Sequence, residues 1–208
     1  VADKWPTIRR DDYLRMADRH LPFSAALMRF IVTNKVKSIV EIGCGPANLS
    51  HLVDDYTGID TNEEVLRDNA LNYGHGTWIN DDWRNVDATT LMVDLFVSSS
   101  VIEHCESFEP FLEWVNRLAS PYSVVTFHKG LRNRARIRRD KLPPLFDNHY
   151  CRADVQGWLS RNIYGQWNLY DLPLSRARFR NRKDSVLVID RTGKADLSMW
   201  EKKELHGS

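Results

Sequence analysis

Short apolar runs alternate with helix-period stretches along most of this chain. Ser38–Ile42 (SIVEI), Tyr56–Asp60 (YTGID), Thr77–Ile79, Val93–Ser99 (VDLFVSS) and Ser123–His128 have strand length and β-branched or aromatic enrichment. The run from Val93 is apolar almost throughout, as befits a central strand covered on both faces. Helical stretches fill the gaps: one near Ala47–Asp54, and one from Thr61 to about Asn72. Thr61 is placed to cap the latter, with Glu64 reaching back. A third helix carries Phe111, Leu112, Val115 and Leu118, with Ser107 as its expected cap and Pro121 as its stop. Arg152–Asn162 predicts another helix, and Gln166–Leu172 and Ser185–Asp190 two last strands. At the front, 8–20 and 23–33 read as helices separated by Pro22, with Phe23, Leu27, Phe30 and Ile31 at helical spacing in the second. The alternation predicts an α/β fold: a doubly wound, mostly parallel seven-stranded sheet with N-terminal helices.

At 208 residues, one domain over 1–208 is expected. Within it, 1–36 forms a helical cover, 129–150 a basic insertion interrupted by Pro143-Pro144, and 196–208 a loose tail. Apolar content of 42% and charged content of 27% suit a folded chain and argue against disorder. No run reaches the roughly 18 apolar residues that would span a bilayer, and no signal-like leader opens the sequence. Cys44, Cys105 and Cys151 are odd in number and lack CxxC spacing, which points to a reducing compartment, with cytoplasm expected.

Charge is more informative by region than in total. The formal net charge is only +1, yet 54–113 holds 14 acids and two bases, whereas 114–183 holds 15 bases and four acids. That split suits an anionic partner for the second half, or a solvated basic surface.

The candidate chemistry begins at EIGCGPAN, between the first two strands. Gly43 and Gly45 permit a tight turn at a strand end, where parallel α/β sheets bind ligands. A dinucleotide fingerprint would need a third glycine at Asn48. Glu41 closes the strand with a carboxylate, which opposes a pyrophosphate but suits a cationic group, and Asp60 closes the second strand. The set of Glu41, Gly43, Gly45 and Asp60 resembles motif I and the following acid of class I S-adenosylmethionine-dependent methyltransferases, with Ala47 where the family's third glycine stands. Asn80-Asp81-Asp82-Trp83 after strand three, and the SVIEH segment after strand four, extend the resemblance over about 38–128.

The resemblance implies a Rossmann-like methyltransferase fold, S-adenosyl-L-methionine as cofactor, and Asp60 on its ribose hydroxyls. Asp81 or Asp82 would accept from the adenine amino group, with Asp82 preferred, and Trp83 would stack on the ring or serve the core. Cys44, Thr61, Ser99, Ser100 and Val101 would complete the cofactor contacts.

Methyl transfer from an activated sulfonium needs alignment and, for a protonated acceptor, a base. His104 is the leading base candidate, with Glu103 orienting it and His128 as a further group near the acceptor; a purely structural His104 weighs equally. Lys129, Arg132, Arg134 and His149 are expected to face an acceptor, with Arg136, Arg138, Arg139, Lys141 and a second cluster at Arg176–Lys183 adding charge. The Arg132-x-Arg134-x-Arg136-x-Arg138 spacing puts these side chains on one face only if the segment is extended, whereas a helix would spread them around.

The expected reaction moves a methyl group to O or N of a small-molecule or anionic acceptor, with RNA possible. Two alternatives stand beside it. One is a metal-assisted 2′-O RNA methyltransferase, whose first glutamate is here Ser100. The other is a non-catalytic methyltransferase-fold subunit binding RNA or protein. No metal site is expected.

Overall fold

Five of the apolar runs become the parallel part of one sheet. The computed structural model describes residues 21–128, 130–136, 146–173 and 183–201. In chain order it contains α1 (Leu21–Thr33), β1 (Ser38–Ile42), β2 (Asp55–Asp60), α2 (Glu63–Tyr73), β3 (Thr77–Asn80) and β4 (Leu95–Ser98). There follow α3 (Glu109–Asn116), β5 (Tyr122–Phe127), α4 (Arg152–Asn162), β6 (Gln166–Pro173) and β7 (Lys183–Asp190). The strands form a seven-stranded sheet in the order β3-β2-β1-β4-β5-β7-β6. β1 to β5 pair in parallel, and β7 runs antiparallel to both neighbours. The α/β expectation is met.

Strand alternation feeds two cores, one on each face. In β1, Ile39 turns toward Leu27, Phe30 and Ile31 of α1, while Val40 and Ile42 turn toward Phe111, Leu112 and Val115 of α3 and Leu159 of α4. Both faces are therefore dry, the condition a parallel sheet requires. The winding reverses between β1 and β4. Their carboxyl ends consequently border the crevice where such sheets take ligands.

Several local expectations are corrected. Pro22 lies in the first turn of α1, where its missing N–H costs nothing, so that helix starts at Leu21 rather than Phe23; the 8–20 helix falls outside the described residues. The helix expected near Ala47–Asp54 is only a 3-10 turn at Ser50–Leu52. Gly43, Gly45 and Ala47 all take positive φ, of 68°, 47° and 51°, and use up the connection before a helix can start. Asn62, not Thr61, caps α2, its side chain accepting from Val65 N. Helix α3 opens at Phe108 without a side-chain cap, so Ser107 does not serve. It stops at Asn116, before Pro121, where the Arg191 guanidinium donates to the carbonyls of Val115 and Ser120.

The tail is also tighter than expected, up to residue 201. Trp200 is buried among Phe23, Phe30 and Tyr170, with ring centroids 6.1 to 6.3 Å apart. A fully buried indole outweighs the entropy of ordering so short a segment. Residues 202–208 lie outside the described set.

Candidate active site

The turn after β1 is shaped by its neighbours. Gly43 N and Cys44 N both donate to Ile59 O, at 2.8 and 3.3 Å, so the chain folds back over the end of β2. A Cβ added at Gly43 would lie 2.3 Å from Val101 Cγ2, in the loop after β4. Gly43 thus serves both a left-handed backbone and the meeting of the two loops at the crevice. Helix α2 supports the turn from below: Asn69 Nδ2 donates to Gly45 O at 2.7 Å, and Tyr73 Oη to Pro46 O at 2.8 Å. These residues lie four apart, on one helix face. Sequence reasoning missed both, although a polar Asn at a buried helical position was a usable signal.

Three acids stand at successive strand ends. Glu41 is 7% exposed and accepts from Tyr56 Oη at 2.6 Å. Burial pushes its carboxyl up to about 8, against the pull of the Tyr56 hydrogen bond, and Asp60 raises it further. Asp60 accepts from Gly45 N through Oδ2 and from Asn62 N through Oδ1, each at 2.9 Å. Burial raises its pKa, opposed by the N–H groups of Gly45, Asn62 and Thr61. Thr61 therefore contributes its backbone.

The third position departs from the expected detail. Asp82 caps the 3-10 turn Trp83–Asn85 and takes two hydrogen bonds from the Arg84 guanidinium, at 2.8 and 2.7 Å. Burial works against its ionisation, yet Arg84 holds it below the ordinary carboxylate range. Asp81 accepts through Oδ1 from Asp82 N and Asn85 Nδ2, both at 2.7 Å. Trp83 meets Phe111 and Trp114 edge-on, at 5.0 and 6.2 Å, which is the core role. Cys44 is likewise turned inward: its Sγ would lie 2.9 Å from a Cβ at Gly58, and burial raises its thiol well above the usual range.

Beyond β4, Ser100 takes a φ of 59°, and its N donates to Thr126 Oγ1 at 3.0 Å. Thr126 Oγ1 in turn reaches Ser99 Oγ at 3.4 Å, tying the loop to β5. A left-handed serine here is strain held in place by its surroundings. The next residues form the 3-10 turn Ile102–His104, in which Glu103 is buried. His104 Nδ1 lies 2.6 Å from Phe146 O.

Segment 146–151 holds that turn. Asn148 N donates to Glu103 O at 2.9 Å, and Asn148 Nδ2 to Cys105 O at 2.8 Å. Tyr150 Oη bonds to Ile102 O and Cys105 O, at 2.9 and 2.8 Å. The same segment pairs with 132–136: Arg136 and His149 exchange backbone hydrogen bonds, and Arg132 bridges Tyr150 and Arg152. The chain bends at 133–134, so Arg132 pairs in parallel with Cys151 and Arg136 antiparallel with His149, and the segment is not extended. Arg132, Arg134 and Arg136 are exposed along it, while His149 is buried. Asn148 and Tyr150 carried no sequence signal, because their partners are backbone carbonyls distant along the chain.

The remaining expected residues scatter. His128 Nδ1 lies 3.5 Å from the buried Asp184 on β7. Lys129 falls outside the described residues, as do Arg138, Arg139, Lys141 and residues 174–182 of the second basic cluster. Lys183 pairs with Asp171, which also binds Arg152 and Ser185. A hollow of about 580 Å³ lies between Trp83, Trp114, Arg117 and Trp158 on the α3–α4 face. None of Glu41, Gly43, Asp60 or His104 lines it, so it is not where the strand-end groups converge. Among the described residues no helix is long and apolar enough to cross a membrane, and no group of three or more His, Cys, Asp or Glu is arranged to hold a metal ion.

Known proteins agree with this geometry. The family described as "Methyltransferase domain" matches residues 40–127, the span from β1 to β5. No curated protein matches the sequence. Among solved structures, the N-terminal domain of EvdMO1 with SAH bound superposes with a TM-score of 0.61 at 16% identity, over 81% of this chain and 80% of that one. Magnesium protoporphyrin IX methyltransferase from Synechocystis PCC 6803 with bound SAM gives 0.60 at 14% identity, over 91% and 86%. An S-adenosylmethionine-dependent methyltransferase from Clostridium acetobutylicum ATCC 824 gives 0.60 at 10%, over 86% and 98%. At such identities the structures speak for the fold, and the family match over the strand-end motifs speaks for the chemistry.

The donor set also fits the cofactor. S-adenosylmethionine presents an ammonium, a ribose diol and an adenine amino group, all hydrogen-bond donors, and β1, β2 and β3 end in acceptors at Glu41, Asp60 and Asp81. Motif, strand order and acceptors thus agree with the match of residues 40–127 to the methyltransferase domain and with S-adenosylmethionine as the cofactor.

Proposed function

We propose that the enzyme moves the methyl group to an oxygen or nitrogen atom of a small anionic acceptor, with His104 as the base. The hydrogen bond from His104 to Phe146 O carries this reading. A carbonyl only accepts, so Nδ1 must hold the proton, and in the neutral ring Nε2 holds the lone pair that base catalysis needs. Bound S-adenosylmethionine supplies an electrophilic methyl carbon; the protein's task is alignment and proton removal. Glu41 takes the ammonium of the cofactor, Asp60 its ribose hydroxyls, and Asp81 its adenine amino group. Asp81 is favoured over Asp82 because Arg84 already engages both Asp82 oxygens.

The acceptor's charge is read from Arg132, Arg134 and Arg136. Their backbone, at Arg132 and Arg136, is paired with the segment that binds His104 and the Glu103 carbonyl, so the cationic stretch and the base share one support. Arginine suits phosphate or carboxylate through forked hydrogen bonds.

The test is transfer of a labelled methyl group from S-adenosylmethionine to a panel of small phosphorylated and carboxylated compounds, with total RNA alongside. Label should enter small acids. His104→Ala should lower kcat by about 10²–10⁴-fold with S-adenosylhomocysteine affinity unchanged. Replacing Arg132 and Arg134 by alanine should raise the acceptor KM. Label entering RNA alone would replace the acceptor class, and an unimpaired His104→Ala enzyme would remove the base.

A further inference from the structure

Tyr56 is placed to do more than fill the core. It is fully buried on β2, opposite Ile39 in the β1–β2 register, and its hydroxyl reaches the Glu41 carboxylate at 2.6 Å. Among the described residues this is the side-chain hydrogen bond that Glu41 makes, and no Lys, Arg or His forms an ion pair with it. The other titratable groups around it, Asp60 on β2 and Cys44 in the turn, are acids. A carboxyl in that setting has one hydroxyl donor and no cation to hold it ionised.

We propose that Tyr56 is a positioning residue for the cofactor, and that S-adenosylmethionine uptake is coupled to release of the Glu41 proton. The inference rests on the reading that Glu41 takes the cofactor's ammonium. The chain of cause runs through charge. In the ligand-free protein, burial keeps Glu41 protonated near neutral pH, consistent with a carboxyl pushed up to about 8. An arriving ammonium supplies the missing cation, Glu41 ionises, and its proton passes to solvent. The Tyr56 hydroxyl donates to the same oxygen and eases that ionisation. Binding is therefore weaker below the Glu41 midpoint and strengthens as pH rises through it.

Calorimetric titration with S-adenosylhomocysteine, from pH 6 to 9 and in two buffers of different ionisation enthalpy, reads both affinity and protons released. The wild-type protein should release close to one proton at pH 7, with Kd falling by about tenfold per pH unit below the midpoint. Glu41→Gln should abolish the proton release assigned to this carboxyl and flatten the pH dependence. The ligand's own ionisation is common to both proteins and cancels in the difference. Tyr56→Phe keeps the ring and loses the hydroxyl; its profile should move up by about one pH unit, making it about tenfold weaker at pH 7 and within about twofold of wild type at pH 9.

An equal loss at every pH would mean that Tyr56 is only structural, and would overturn the proposal. So would a Glu41→Gln protein that keeps the wild-type slope and proton count. The wild-type and Glu41→Gln arms decide the coupling even if Tyr56→Phe folds poorly. Failure of the wild-type protein to bind the ligand at any pH would overturn the cofactor assignment itself, and this inference with it.

Discussion

The proposed donor end and the proposed acceptor end of this enzyme are built by different rules. At the donor end, Glu41, Asp60 and the Gly43–Ala47 turn are buried or half-buried, and each is fixed by short hydrogen bonds from Tyr56, Gly45, Asn62, Asn69 or Tyr73. At the acceptor end, Arg132, Arg134 and Arg136 stand exposed on a stretch held through backbone bonds to 149–152. A buried polar group must be satisfied from a few directions, which leaves little freedom in its neighbours. An exposed arginine is solvated wherever it points, so its position carries less information. The donor end should thus tolerate almost no change, and the acceptor end a good deal.

The largest test of that contrast is Asp60→Ala. It removes a carboxylate that anchors Gly45 N and Asn62 N and that we propose holds the cofactor diol. Hydrogen bonds to a charged group are worth about 1.5–3 kcal/mol, so cofactor affinity should fall by about a hundredfold. A concentration of S-adenosylhomocysteine that raises the wild-type Tm should then leave the variant unmoved. Replacing Arg132, Arg134 and Arg136 together by alanine is the matched change at the other end. It should shift stability by no more than about 0.5 kcal/mol per site and leave cofactor affinity intact. Equal losses of cofactor affinity in both proteins would erase the distinction.

Gly43→Ala comes next. The backbone there has φ of 68°, and the added methyl would lie 2.3 Å from Val101 Cγ2. Left-handed strain and forced repacking together should cost about 2–4 kcal/mol of folding stability, read as a lower urea midpoint with an unchanged m-value. Gly43→Ala in a Val101→Ala background should recover the steric part and keep the backbone part. If the double variant is no better than the single one, the contact with Val101 is not what the glycine serves.

These expectations also mark what was legible in the sequence. The strands were legible because a two-residue period and β-branched runs are local signals. Strand-end acids were legible because Glu41 and Asp60 close two successive apolar strands on either side of the glycine turn, in a recognisable pattern. What resisted reading were bonds made across the fold. Nothing near Asp82 in the family pattern says that Arg84 will claim it, which is why we propose Asp81 for the adenine role. The short turn at Ser50–Leu52 looked like a helix because propensity does not register three positive φ values in five residues. Trp200 looked like part of a tail because its aromatic partners, Phe23, Phe30 and Tyr170, lie far off in sequence.

The smallest effect is expected at Ala47, where the family pattern has glycine. Its φ of 51° is a conformation that an L side chain enters at a cost of about 1–2 kcal/mol. Ala47→Gly would relieve that strain. Two terms oppose the gain: the methyl is fully buried, so its loss forfeits about 0.8 kcal/mol, and glycine adds about 0.4–1 kcal/mol of unfolded-chain entropy. The terms nearly cancel, so Ala47→Gly should change stability by less than about 1 kcal/mol in chemical denaturation. A destabilisation beyond about 2 kcal/mol would show that the methyl fills space the turn depends on. Alanine would then be a packed part of the donor end here, as Val101 is over Gly43. A near-neutral result would mean that the turn's shape is set by Gly43, Gly45 and the bonds from Asn69 and Tyr73, with Ala47 following the path they impose.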